Sequence, residues 1–424
     1  MLMESYWMDS TESTSYLPVE ADFEVDVAVV GGGIAGICTA WELARAGRVV
    51  ALLEADRIVS GMTGYTTAKL TAQHTMIYAQ LRDSLGADAA RLYAQSQQDA
   101  IAHVGATTAE LGIDCDLERR AAYTYIAPGT AEQAEQIEKL QAEAVAAAEA
   151  GLPAEFVVAS GLPFPIAGAV RVTDQAQFHP RKYLLALAED FIARSGQVYE
   201  HTRVVDLEEG EPCRLTTEAG HTVRARQVVV ATHFPVFNRA RLFSRLSPHR
   251  ELVIAAPIDA AADPDGMYIT TAENTRSVRT APYGDGQRLL IVTGETFKPG
   301  ASGVTERFDA LTEWTRQRFG VQDFAYRWAA QDNSTTDGVP YVGYFPGGDD
   351  SIFVAAGFDS WGMTNGVMSG RLLAALITGQ QPAWTDLYDP RRVHPVAEAT
   401  TFIKAQANVA KHFAGDRVKP AKVE

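Results

Sequence analysis

The sequence predicts an α/β protein, in which a parallel sheet layered with helices is interleaved with a second α+β unit built on an antiparallel sheet. Two observations predict it. The stretch from Asp26 to Glu54 reads DVAVV-GGGIAG-ICTAWELARAG-RVVALLE: an apolar strand, a glycine turn, a helix with one apolar face and a second apolar strand, in that order. Far downstream, residues 250–298 form a series of β-branched or alternating segments with Asp-Gly turns at Asp265-Gly266 and Asp285-Gly286, the pattern of an antiparallel sheet.

Within the first unit each part has a physical task. Gly31, Gly33 and Gly36 form G-x-G-x-x-G. The first permits the tight turn, the second lets the backbone approach a pyrophosphate, and the third lets helix and strand pack closely. Ile37, Ala40, Trp41 and Ala44 supply the buried helix face, Gly47 stops the helix, and its N-terminus offers N–H groups and partial positive charge to phosphate. A carboxylate at Glu54, ending the second strand, accepts hydrogen bonds from both ribose hydroxyls of an adenosine and repels a 2′-phosphate. The order of parts points to an adenine dinucleotide, FAD or NAD.

At 424 residues the chain can hold two domains with full cores, and 46% hydrophobic with 21% charged residues is ordinary globular composition. A net charge of −16 argues against nucleic acid and against an anionic membrane surface as partners. Cys38, Cys115 and Cys213 lie far apart without metal-ligand spacing, as reduced core thiols of a cytoplasmic protein would. Glu4, Asp9 and Glu12 near the start argue against a signal peptide, and no run of about 18 apolar residues is present to span a membrane.

The remaining elements follow in order. Residues 1–21 form an irregular arm with Tyr6, Trp7, Tyr16 and Leu17 as anchors. The Gly/Ser/Thr-rich RIVSGMTGYTTAKLTAQH then reads as a loop presenting hydroxyls and N–H groups; a phosphate contact and an ordinary surface loop both fit. Helical patterns cover 87–111, stopped by Gly112, and 130–150, stopped by Gly151 and Pro153. A helix over 178–196 has Pro180 near its start and Gly196 as cap, and strands follow to Val228–Ala231. A helix at 305–319 follows the β-rich segment, and 391–424 reads as a polar helix with a charged end.

The choice between FAD and NAD turns on the C-terminal strand Ile352–Ala355, the loop from Gly357 to Gly362 and the helix from Thr364 to Thr378. A second helix N-terminus pointing inward stabilises the negative charge that reduced flavin carries at its N1–C2=O edge, which an NAD enzyme does not need. No second G-x-G-x-x-G occurs, so the simplest scheme has an organic substrate reduce the flavin directly.

The chain resembles the D-amino-acid-oxidase/glycine-oxidase class of FAD-dependent oxidoreductases, and within it the branch whose flavin domain is normally followed by a Rieske iron–sulfur domain. The resemblance is carried by Ser5-Tyr6-Trp7, the Gly31–Gly36 turn with Glu54, and Thr63-Gly64-Tyr65-Thr66-Thr67-Ala68-Lys69-Leu70-Thr71 with Gln73-His74. It continues in Phe178-His179-Pro180, Asp337-Gly338-Val339-Pro340-Tyr341, and Gly357-Phe358 with Trp361-Gly362-Met363-Thr364-Asn365-Gly366, so covering roughly residues 4–395. It implies that Gly31, Gly33, Ile34, Ala35, Gly36, Glu54 and Ala55 hold the ADP half of FAD. Ser60, Gly61, Thr63, Gly64, Thr66 and Thr67 follow the pyrophosphate and ribityl chain. Val204 gives backbone bonds to adenine, with Ala231 nearby, and Gly357, Trp361, Gly362, Met363 and Thr364 approach the isoalloxazine.

The implied architecture is a discontinuous Rossmann-type FAD-binding domain of residues 22–84, 166–235 and 331–390, and a substrate domain of 85–165 and 236–330. No Cys follows Cys213, so the Rieske ligand set is absent, and the chain reads as a stand-alone or truncated form. The cysteine of a covalent flavin link is missing too, so noncovalent FAD is expected. The implied reaction is oxidation of a C–N bond in a small amine or amino acid: hydride passes from the α-carbon to flavin N5, and water hydrolyses the imine. O₂ or a separate iron–sulfur partner, Rieske or ferredoxin-like, takes the electrons. Arg279 is the candidate clamp for a substrate carboxylate, or else a sheet-surface arginine. Lys69 is the candidate positive charge beside the flavin for O₂, or else a paired or solvated lysine; Trp361 either walls the flavin or fills the core. His74 and His179 read equally as satisfied core histidines. Oligomeric state and substrate identity are not encoded in any of these features.

Overall fold

The computed structural model describes residues 3–392 except 130–131, 235, 238–241, 273 and 285; Asp285 and most of the predicted C-terminal helix lie outside the described residues. The glycine-turn unit folds into strand Phe23–Val30, helix Ile34–Arg45 and strand Val50–Leu53. The first strand is central in an eight-stranded sheet, parallel to Thr222–Val230 on one side and to Val50–Leu53 on the other. Ile352–Ala356 and Gln197–Tyr199 extend the parallel array outward, and Tyr341–Tyr344 closes one edge antiparallel. These strands are covered on both faces, which is why they read as unbroken apolar runs.

Helix Gly362–Ile377 crosses Ile34–Arg45 at close range. A Cβ at Gly366 would stand 2.5 Å from Ile34, and one at Gly370 would stand 2.5 Å from Cys38, so glycine at both places sets the approach. The glycine-turn helix and the C-terminal helix are thereby fixed against each other as one body.

The second sheet has nine strands. Its main path runs Tyr326–Thr335, Leu246–Asp259, Gln287–Phe297, Arg276–Tyr283, Gly266–Thr270, Glu118–Ile126, Gly168–Gln177 and Lys69–Leu70. All its pairings are antiparallel but one: Gly266–Thr270 runs parallel to Glu118–Ile126. Those two strands are far apart in the chain, so no hairpin dictates their relative direction. Gly168–Gln177, grouped above with the dinucleotide half, pairs in this sheet. Side chains alternate between two faces. Leu252, Ile254, Leu290 and Val292 pack with Leu311 of helix Val304–Phe319. Val253, Ala255, Ile291 and Trp328 instead join the core that also contains Val27, Val29 and Ile34. The second sheet therefore turns this face toward the first.

Helix Pro180–Ala193 is capped by His179, whose Nδ1 accepts the Lys182 N–H at 3.2 Å. It ends at Arg194 and not at Gly196. Gly196 lies past the cap, with Ser195 left-handed at φ 68°, and a Cβ there would stand 2.2 Å from the Phe191 ring. The glycine is needed for that close approach.

Candidate active site

A cleft of about 490 Å³ runs between the two sheets. At one end it is lined by Gly31, Gly33, Ile34, Ala35, Glu54 and Ala55, the turn and helix N-terminus of the first unit. Gly31 has φ +109°, and a Cβ there would stand 2.5 Å from the Ala231 carbonyl oxygen. Gly36 does not line the cleft: a Cβ there would lie 1.9 Å from the Gly31 oxygen, so its role is to let the helix sit under the turn. Glu54 accepts the Gly32 N–H at 2.6 Å and the Asp56 N–H at 2.9 Å, which aims the carboxylate across the turn. Thr63 Oγ1 accepts the Ile34 N–H at 3.1 Å and so joins the loop to the helix start.

Ser60, Gly61, Thr63, Thr66 and Thr67 continue the lining, with Val204 and Ala231 opposite. Five successive carbonyls of this loop are taken by side chains from elsewhere in the chain. Ser5 Oγ donates to Gly64 at 2.5 Å, Trp328 Nε1 to Tyr65 at 2.8 Å, and Trp7 Nε1 to Thr66 at 2.6 Å. Arg279 Nη1 donates to Thr67 at 3.0 Å and to Ala68 at 2.5 Å. None of these donors lines the cleft, so these carbonyls are engaged away from it; of the loop's own donors, Ser60 Oγ gives to Arg57 O, Gly64 N–H to Gly61 O and Ala68 N–H to Thr66 Oγ1, which leaves the hydroxyl protons of Thr63, Thr66 and Thr67 to serve an anion. This donor set, with the helix N-terminus and Glu54, fits the diphosphate and ribose of an adenine dinucleotide.

Gly357, Gly362 and Met363 line the far end. Thr364 lies behind them; its Oγ1 donates to Thr71 O at 2.8 Å and accepts the Thr71 N–H at 3.2 Å. The TTAKLT and WGMTNG stretches, nearly 300 residues apart, are thus bonded to each other, with a separation of 293 positions. Gly64 also sits off the cleft, where a Cβ would meet the Val59 oxygen at 2.6 Å. Trp361 is half-buried and stacks on His74, with ring centres 4.8 Å apart, and does not line the cleft. His74 holds Tyr93 OH at 2.6 Å and Thr71 O at 2.8 Å, and burial lowers its pKa to about 3, so it is a neutral structural imidazole. His179 is likewise lowered to about 3 by burial and bonds Ser10 Oγ at 2.9 Å.

Arg279 departs from the clamp expectation. It is 1% exposed, lies off the cleft, and spends its donors on the carbonyls of Thr67, Ala68, Phe178 and Thr280 beneath the Trp7 ring. A buried guanidinium among carbonyls orders the loop. Lys69 is buried in the second sheet and donates to Ser277 Oγ. Burial pulls its pKa down to about 7, against the opposing pull of Glu251 and with the help of Arg279.

Sequence reasoning did not single out the side chains that the second sheet brings to the cleft: His249, Glu251, Thr293, Gln331 and Asp332. His249 and Glu251 alternate along one strand, opposite Asp332 and Ala330 on the next, and Thr293 is paired with Val253 on the other side. Period-two spacing in HRELVIAAPI was the available signal, but which face turned inward was not readable from it. The neighbouring Asp359 is pushed up to about 6 by burial and by like-charged Asp332 and Glu251, against the pull of His249.

A model of the FAD dependent oxidoreductase family, DAO, matches residues 26–376. A Bacillus subtilis protein named as a Rieske 2Fe-2S iron–sulfur protein, YhfW, is 32% identical over 99% of this chain and 82% of its own length. Gamma-glutamylputrescine oxidoreductase of Escherichia coli is 25% identical over 84% of each chain. The crystal structure of glycine oxidase from Geobacillus kaustophilus superposes with a TM-score of 0.70 at 23% identity, covering 87% of this chain and 99% of that one.

Proposed function

The chain belongs to the DAO family of FAD dependent oxidoreductases, and from that premise we propose that it oxidises the C–N bond of a small amine or amino acid. FAD is the cofactor of the family, and when bound it supplies the hydride acceptor. The observation that carries the reading is the cleft itself: a pyrophosphate cradle at one end opens, at the other, against a sheet face bearing polar side chains from several strands. The glycine turn, Glu54 and the Ser60–Thr67 loop would hold the ADP half, and Gly357, Gly362 and Met363 leave room beside the N-terminus of helix Gly362–Ile377 for the ring system. Among the described residues all three cysteines are buried and none lines the cleft, in keeping with noncovalent binding.

For C–N oxidation the amine nitrogen has to be unprotonated, its α-hydrogen has to face the acceptor, and water has to reach the imine afterwards. The protein's task is orientation in a site closed between two sheets. An anaerobic visible spectrum before and after adding amines and amino acids tests the reading. Bleaching of the oxidised flavin is expected, and restoration by O₂ identifies an oxidase. If no amine or amino acid bleaches it, the C–N reading fails.

A second reading has a specific observation behind it, the 32% identity to a protein named for an iron–sulfur centre. In that reading a separate Rieske or ferredoxin-like protein receives the electrons. Slow reoxidation by O₂ with fast reoxidation by such an acceptor would favour it.

A further inference from the structure

We infer that the substrate is an amine that arrives as a cation and lacks a carboxylate beside its amino group, bound by Glu251 and Thr293 on the sheet wall of the cleft, its ammonium losing a proton to water before the C–N bond is oxidised; the inference rests on the C–N reading above.

The argument begins with the distribution of charge. The arginines among the cleft-lining residues, Arg57 and Arg203, accompany the Glu54–Ser60 loop and Val204, at the dinucleotide end. The sheet wall carries acids: Glu251 and Asp332 line the cleft there, and Asp359 stands behind His249 at 4.0 Å. The one arginine positioned to serve a substrate carboxylate by sequence, Arg279, is committed to backbone carbonyls and does not line the cleft. A carboxylate substrate would meet like charge with no guanidinium to offset it, which disfavours binding strongly in a partly enclosed site.

Two groups on this wall have unused hydrogen-bonding capacity. Thr293 is 3% exposed and lines the cleft, yet its hydroxyl has no partner among the described residues. A buried hydroxyl left alone costs free energy, so a ligand atom that bonds it is favoured. Glu251 accepts both Thr275 Oγ1 and Thr296 Oγ1, at 3.2 Å each, through Oε1, leaving Oε2 for a ligand. Both residues stand on the inward face set by the alternation of their strands, and Ser277, which holds Lys69, is the cross-strand partner of Thr293.

Two basic groups stand near these acids, and neither is an arginine. His249 bridges toward Ser360 Oγ at 3.3 Å and Asp359 at 4.0 Å. Lys69, held on Ser277, stands on the same sheet face as Thr293 and is drawn by Glu251, but it is buried and does not line the cleft. The whole chain adds a net charge of −16, which draws cations toward the cleft.

Two measurements on the FAD-loaded full chain test this. Calorimetry with tert-butylammonium, which keeps its N–H donors but has no α-hydrogen to lose as hydride, and with butyrate reads charge preference without turnover. Binding of the cation and not of the anion is expected, weakened about tenfold or more by Glu251→Gln and about fivefold by Thr293→Val, with FAD retained in both. Anaerobic bleaching with n-butylamine and 1,4-diaminobutane is then compared with glycine, alanine and sarcosine. Bleaching by the amines at far lower concentration is expected. Bleaching by the amino acids alone, or preferential binding of butyrate, overturns the inference and leaves C–N oxidation standing. Bleaching by neither set overturns both. Should Glu251→Gln lose FAD, Thr293→Val carries the side-chain test, and unchanged cation affinity in it overturns the assignment of that residue.

Discussion

The two ends of the cleft are built by different means. The dinucleotide end is made of backbone: a left-handed glycine, a helix N-terminus, and a loop whose carbonyls are withdrawn by five side-chain hydrogen bonds. The sheet end is made of side chains, one or two from each of several strands that meet only in the folded chain. A backbone site tolerates little change at Gly31, Gly36 and Gly64, because an added Cβ strikes other backbone that cannot move aside. A side-chain site can change its specificity one residue at a time while the sheet beneath it stays put.

That contrast can be broken most severely at Gly36. Gly36→Ala puts a Cβ 1.9 Å from the Gly31 oxygen, so a backbone shift is forced, with an expected cost of at least about 3 kcal/mol and loss of FAD retention. Thermal melts and the flavin absorbance of the purified variant measure both; a variant that melts and binds FAD like the parent would refute the backbone account of this end.

Arg279→Lys comes next. A lysine cannot hold several carbonyls in a planar fork, so a loss of about 2 kcal/mol and weaker FAD binding are expected, with no change in substrate preference. The contrasting outcome, normal FAD affinity with a raised KM confined to carboxylate substrates, would restore this residue to the substrate site.

Lys69 gives a pH-dependent test. Its folded pKa, about 7, lies below the ordinary 10.5, so between those values the unfolded chain keeps a proton that the folded chain has released. Stability then rises with pH across that window, by up to about 1.4 kcal/mol per unit from this group. Lys69→Met should flatten that slope in denaturant titrations at several pH values; equal slopes in parent and variant would show that Lys69 stays charged.

The smallest effect sharpens the dinucleotide end. Thr63→Val removes the acceptor of the Ile34 N–H, costing about 1 kcal/mol and a modest part of the FAD affinity. Equilibrium unfolding with and without FAD separates the two contributions, and a variant weakened in neither would show that this bond is dispensable.

The sequence by itself determined the glycine-turn unit, the parallel strands and three helices, predicted over 87–111, 178–196 and 364–378 and found at Ala87–Leu111, Pro180–Ala193 and Gly362–Ile377, since each is specified by local pattern. The places of Gly31, Gly33 and Glu54 on the cleft were legible because turn, helix start and strand end are local demands on neighbouring residues. Gly36 was legible as a packing residue for the same reason. The tertiary structure alone decided that Gly266–Thr270 runs parallel to Glu118–Ile126, that Arg279 serves the Thr67–Ala68 loop, and that Glu251 and Thr293 share a wall of the cleft. The physical reason is the nature of a sheet. Alternation tells which residues share a face, but strand order, direction and the choice of inward face come from long-range packing that no short stretch encodes.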